Sequence, residues 1–171
     1  MSKRDLKKYV TQLSKEQLEE QILELYHKFT DVKVYYDFVF NPNEQQLVRE
    51  AKLKISNEYY PIRGKKAKMR RSLAQKFIKH FVTLGVDVFI IADLMLYNIE
   101  IAQTFSSEKF VKQEFFFKSM LASFQQAIRF MIEHGILNDF LGRVVAIKEE
   151  AISQKWLNQS EFNAIVERFE Y

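Results

Sequence analysis

With 171 residues, 4 glycines, 2 prolines and no cysteine, the chain is long enough for a hydrophobic core and has no covalent means of stapling one. Structural disulfides and thiolate zinc sites are excluded, and 3 histidines leave little material for catalysis or metal binding. The net charge of +4 is unevenly placed: eight basic residues and no acid run from Arg63 to Lys79, and the remainder carries 18 basic against 22 acidic residues. Such asymmetry points to an anionic partner more directly than the overall charge does.

Scarce glycine and proline, with abundant Leu, Lys, Glu, Gln and Ala, predict long helices joined by short links. Ser2 with Asp5 opens the first, whose apolar face is Leu6, Tyr9, Val10 and Leu13. Ser14 with Gln17 is a second capping box, followed by Leu18, Ile22, Leu25, Tyr26 and Phe29 at helical spacing. Asp31 is the expected cap of a third helix, Val32 to Phe40, although its β-branched and aromatic content disfavours the helical state. Asn41-Pro42-Asn43-Glu44 reads as an N-cap, a proline at the first helical position and a glutamate three residues on, so a helix is expected from Pro42 to about Glu58.

Tyr59-Tyr60-Pro61-Ile62-Arg63-Gly64 breaks the pattern. A basic helix is expected from about Lys66 to Leu84, closed by Gly85. Asp87 then caps an apolar helix, Val88 to Phe105, whose apolar residues cover nearly its whole circumference and place it at the centre of the fold. The apolar stretch from Val86 to Ala102 is interrupted by Asp87, Asp93, Asn98 and Glu100 and is shorter than a bilayer crossing needs, so a buried helix is expected and no membrane span. After Ser106-Ser107, Phe110 to Glu133 reads as one helix stopped at Gly135. Within it Phe115-Phe116-Phe117 points three successive ways, so at least one ring must leave the main core face. Asn138 is the expected cap of a helix to about Ile152, and Ser160 that of a last helix to Phe169.

The fold class expected is all-α: one compact domain, residues 1–171, of eight or nine helices, either an irregular orthogonal bundle or a short stack of helical hairpins. No apolar h-region follows Met1–Lys8, so a chain mature from Met1 and a cytoplasmic location are expected.

Two places carry candidate chemistry. Arg63, Lys65, Lys66, Lys68, Arg70 and Arg71 fall at an expected loop-to-helix junction, where cationic side chains combine with free backbone N–H groups to suit phosphate. Tyr59 and Tyr60 stand just before them and could stack on bases. The plainer reading has the lysines solvated, the arginines paired with internal acids and the tyrosines closing the core. Asp93, Tyr97 and Glu100 recur at i, i+4 and i+7 on the central apolar helix, a polar stripe where burial is expected. Buried carboxylates must be paired, metal-bound or protonated. The stripe is either a ligand or metal pocket or a group satisfied internally, by Arg70, Arg71 or a tyrosine hydroxyl. The histidines, each near an expected helix C-terminus, lack metal-site spacing, and no G-x-S-x-G, glycine-rich phosphate loop or H-E-x-x-H occurs. No metal or cofactor is expected.

Met1–Tyr9, Tyr35-Tyr36-Asp37-Phe38 with Asn41-Pro42-Asn43-Glu44, Lys68-Met69-Arg70-Arg71-Ser72, and Asp93-Leu94-Met95-Leu96-Tyr97 followed by Glu100 together resemble a bacterial family known only as a domain of unknown function. The resemblance runs through Glu100, with the later helices similar in general pattern only. It implies a helical fold and supplies no chemistry.

The leading expectation is a non-enzymatic binding or adaptor domain whose basic segment, 63–79, contacts nucleic acid or an acidic protein. The alternative is a small-molecule or metal-dependent enzyme with its pocket around Asp93, Tyr97 and Glu100. A structural homo-oligomer is a further alternative.

Overall fold

The computed structural model describes residues 2–62 and 66–169. Among them are nine helices and no strand, the all-α class expected. They sort into two compact units, residues 1–43 and 44–171, which are taken in turn.

The first unit holds α1 (Lys3–Val10), α2 (Lys15–Lys28) and α3 (Thr30–Phe40). Both capping boxes form, Ser2 with Asp5 and Ser14 with Gln17, each hydroxyl accepting from the backbone N–H three residues on. The third segment is helical despite its β-branched content, but Asp31 is not its cap. That position falls to Phe29, which makes no side-chain cap, and Asp31 lies in the first turn, where its charge suits the helix dipole. The Tyr26 hydroxyl donates to Asp37 at 3.0 Å and ties α2 to α3. No side chain of these three helices is buried.

The second unit gathers α4 (Glu44–Tyr59), α5 (Arg71–Leu84), α7 (Glu114–Glu133) and α8 (Leu137–Ser153) around α6 (Val88–Glu108), with α9 (Gln159–Val166) against α7 and α8. Helix α6 is where the sequence places it, with Leu94, Leu96, Ile99 and Ala102 wholly excluded from solvent. At 21 residues it is longer than expected and, by length and composition alone, long enough to cross a membrane. Its apolar surface is instead largely spent on neighbouring helices. Asn98 sits within this surface, 1% exposed, and neither end of its amide meets a protein partner among the described residues.

Several expected boundaries shift, each for a local reason. Asn41 caps the C-terminal end of α3 instead of opening α4; as the residue before Pro42 it is driven out of the helical region (φ −136°, ψ 72°), and α4 begins only at Glu44. The basic helix begins at Arg71, not Lys66, because residues 66–70 run non-helically back along the end of α4. Helix α6 continues through Ser106 and Ser107, whose hydroxyls bond back to the carbonyls of Gln103 and Thr104 within the helix. Consequently α7 starts at Glu114 and not at Phe110. Asn138 and Ser160 fall inside α8 and α9, which are preceded by Ile136 and Asn158 without side-chain caps. The Asn158 amide instead donates to the Phe117 carbonyl at 2.9 Å.

Helices α5, α7 and α8 end in one device. A residue in the left-handed conformation donates to the carbonyl three back, and the apolar residue after it donates to the carbonyl five back. In α5 these are Gly85 and Val86, in α7 Gly135 and Ile136, in α8 Lys155 and Trp156. Glycine is the residue such a position favours, so Lys155 at φ +55° is the exception. Replacing Lys155 by glycine is expected to raise stability by about 1 kcal/mol, read from the urea midpoint, because the left-handed conformation penalises any β-carbon by roughly that amount.

Candidate functional site

The basic segment is organised by Glu58, in the last turn of α4. Its backbone carbonyl accepts from the N–H groups of Lys68 (2.9 Å) and Met69 (3.1 Å). Its carboxylate receives Nε and Nη2 of Arg70, both at 2.8 Å. This two-pronged pair holds the Glu58 carboxyl below its usual range. A depressed pKa means that the pair stabilises the fold above the ordinary carboxylate value of 4.5 and that this contribution is lost as pH falls through the lower, folded value. Accordingly, the stability difference between the wild type and Arg70→Gln should stay constant from neutral pH down to about 5 and close below pH 4.5. Urea titrations across that range measure it.

Arg71 turns the other way. Its Nε donates to the Ser123 hydroxyl at 2.9 Å and Nη2 to Gln126 at 2.8 Å, and partial burial pulls its pKa down. Both arginine forks are therefore occupied inside the protein. The tyrosines are committed as well. Tyr59 is 2% exposed, its hydroxyl toward the Met120 sulfur and its pKa pushed up by burial. Tyr60 lies edge-on to Phe105 and donates to Glu108 at 3.1 Å. Tyr59 therefore has no free face for stacking, and Tyr60 is fastened at both ring and hydroxyl. Lys66, Lys68 and Arg70 precede α5 on non-helical backbone and Arg71 opens the helix, so the segment lies at a loop-to-helix junction. Arg63 and Lys65 lie outside the described residues.

What remains open is a set of lysines. Lys66 and Lys68 are exposed and line a hollow of about 220 Å³ with Asn57, Pro61, Ile62 and Glu58. Ile62 is 65% exposed beside them. Lys76 and Lys79 are exposed along α5. None of these four lysines makes an ion pair among the described residues.

The polar stripe on α6 forms as spaced, but with other partners than Arg70 and Arg71. Arg143 of α8 donates through Nε and Nη2 to the two Glu100 oxygens, each at 2.8 Å, and through Nη1 to Asp93 at 2.8 Å. Lys52 of α4 reaches the second Asp93 oxygen at 2.6 Å and lies 5.0 Å from the centre of the Tyr97 ring. Two carboxylates thus meet two cations across three helices, all partly exposed. The hydrogen bonds that Arg143 donates to Glu100 and Asp93 outweigh desolvation and raise its pKa. Sequence reasoning missed Arg143 and Lys52, although both left a trace. Arg143 interrupts the buried row Phe140, Val144, Ile147 and Ala151, and Lys52 follows Ala51 in the row that continues with Ile55. A cation on a core-facing row needs an acid opposite. Among the described residues the stripe and the basic segment share no hydrogen-bond or ion-pair partner.

The histidines are distributed over α2, α5 and the end of α7. The Nδ1 of His134 lies 2.8 Å from the Phe130 carbonyl at the end of α7, and His27 closes α2. His80 is exposed on α5 beside Phe81, not at the helix end expected for it. Among the described residues no group of three or more His, Asp or Glu is placed to hold a metal ion.

The family model for DUF6155, a family of unknown function, matches residues 1–170. The chain belongs to that family. The match extends well beyond the stretches that carried the resemblance and takes in α7, α8 and α9, so Arg143 lies within the family's extent along with the stripe it closes. No curated protein and no solved structure matches the chain.

Proposed function

We propose that this member of DUF6155 is a non-enzymatic binding domain that holds an acidic segment of a partner protein against the lysines of 66–79, in a bacterial cytoplasmic setting. The observation that carries the reading is the exposed Lys66 and Lys68, neither in an ion pair among the described residues, around a hollow that also presents Ile62. Cations flanking an apolar contact suit a carboxylate-bearing peptide with an apolar residue. Nucleic acid is less well served, because the two arginine forks and the two aromatic faces that would recognise phosphate and base are engaged internally. Flexible ammonium groups are left, and these attract carboxylates as readily as phosphates.

Fluorescence anisotropy with a short glutamate-rich peptide containing one leucine tests this, beside a single-stranded oligonucleotide of equal charge. The expected result is tighter binding of the peptide, abolished in Lys66→Glu/Lys68→Glu. Both side chains are exposed, so the variant should fold. Tighter binding of the oligonucleotide, with steep loss as salt rises, would replace the acidic protein by nucleic acid. Absence of binding to either at low salt would remove the reading.

Self-association has an observation of its own in the first unit. Leu23, Phe29, Val39 and Phe40 are 58%, 47%, 49% and 74% exposed there. Apolar surface of this kind marks contact with another macromolecule. Light scattering at two concentrations should show a rise in mass with concentration, and a constant monomer mass would discard self-association.

A further inference from the structure

A second hollow, remote in chemistry from the basic segment, lies where the link from α6 to α7 meets the turn from α8 to α9. It encloses about 320 Å³, within the range of small-molecule sites, about 300–1,000 Å³. Its walls are Val111, Phe117, Trp156 and Leu157, and Lys112 and Lys155 stand among them. Phe110 and Leu157 are 87% and 69% exposed there, a large apolar surface for side chains so close to a cavity.

Two further observations give the hollow a sign and a purpose. Of the acids nearby, Glu114 pairs with Lys118 at 2.6 Å, while Glu108 and Glu150 accept from the neutral Tyr60 and Gln154 at 3.1 and 2.6 Å. Among the described residues neither Lys112 nor Lys155 makes an ion pair, and Lys112 lies 5.6 Å from the centre of the Phe110 ring. Two lysines without an acid partner among those residues thus stand among the walls of the hollow. The second observation is the backbone. Two of the three equivalent helix ends carry glycine in the left-handed position, and the third carries Lys155, which lines this hollow. Strained backbone of this kind clusters at ligand sites.

We propose that this hollow binds a small amphipathic carboxylate. Its apolar body lies along Phe117, Trp156 and Leu157, and its carboxylate is held by Lys112 and Lys155. A medium-chain fatty acid or an aryl acid has the required form: an apolar portion for the walls and one negative end for the two ammonium groups.

Trp156 is the single tryptophan of the chain, so its emission reports on this hollow alone. Titration of the full chain with octanoate should give a saturable change in emission. Octanol, with the same chain and no charge, should bind about tenfold more weakly, since charge-assisted bonds are roughly twice as strong as neutral ones. Lys155→Gly provides the decisive variant, because it relieves the left-handed strain while deleting the ammonium group. It should bind octanoate about tenfold more weakly at an equal or higher urea midpoint, which separates lost recognition from lost folding. Lys112→Ala should show a similar loss. The proposal is overturned if octanoate gives no saturable change, if octanol binds as tightly, or if Lys155→Gly binds like the wild type. A short acidic apolar peptide that displaces octanoate and binds more tightly would overturn the small-molecule assignment in favour of a protein ligand.

Discussion

Replacing Trp156 by alanine will lower the stability of the second unit by about 4 kcal/mol, the largest effect expected of any single change considered for this chain. The indole is 2% exposed. Its ring meets Phe116, Phe117 and Phe162 edge-on, with centres 5.5–5.6 Å away. Such contacts add to the area term, because the positive edge of one ring faces the negative face of the next. The Trp156 backbone N–H closes the end of α8 on the Ala151 carbonyl at 3.0 Å, and the indole N–H donates to Gln154 at 3.0 Å. Alanine keeps the first of these bonds and loses the second along with all the ring contacts. Trp156→Phe retains much of the packing and should cost about 1–2 kcal/mol. Far-UV circular dichroism in urea is the appropriate measurement, since both variants lose the fluorophore. A loss below about 1 kcal/mol in the alanine variant would show that the cluster repacks and that Trp156 is not the keystone of the α7–α8–α9 contact.

Arg143→Met should cost about 2 kcal/mol, less than the loss typical of fully buried pairs because these side chains are each about one-third exposed. The methionine preserves most of the packing volume and removes three charge-assisted hydrogen bonds. Asp93 keeps Lys52, whereas Glu100 keeps no cation. Much of the cost is therefore the isolated Glu100 charge and not the pair's own attraction. The double variant Arg143→Met/Glu100→Gln should recover about half of the loss, and Arg143→Lys should recover less, because an ammonium group cannot fork across both Glu100 oxygens. Thermal unfolding of the four proteins forms the cycle. Full additivity between positions 143 and 100 would contradict the coupling that the geometry requires.

The helical class and the central position of α6 were readable from sequence because they depend on local spacing: an apolar residue every three or four positions, and apolar residues on all sides in α6. The capping boxes at Ser2 and Ser14 were readable for the same reason. The caps at Asn41, Asn138 and Ser160 were misread because each residue type fits its expected role, whereas Asn41 closes α3, and α8 and α9 begin one residue before Asn138 and Ser160. Asp93, Tyr97 and Glu100 were recognised as a polar stripe from one helix alone. Their partners were not, because Lys52 and Arg143 lie 41 and 50 residues away in sequence from Asp93, and no local pattern links them. The basic segment was left between two readings for a related reason. Its charge count is visible in the chain, but the destination of each guanidinium is tertiary, set by Glu58, Ser123 and Gln126.

The repeated ending of α5, α7 and α8 bears on how the chain reaches its fold. Each ending is closed by hydrogen bonds between residues only three and five apart, and each delivers Val86, Ile136 or Trp156 directly into the interior. The reversal of chain direction and the seating of an apolar anchor are thus one local event, requiring no search over distant segments. A domain assembled from such steps should fold on the fast side of the range, in microseconds to milliseconds. Its slowest steps should be those that bring together far-separated groups, foremost the closure of Arg143 on Asp93 and Glu100.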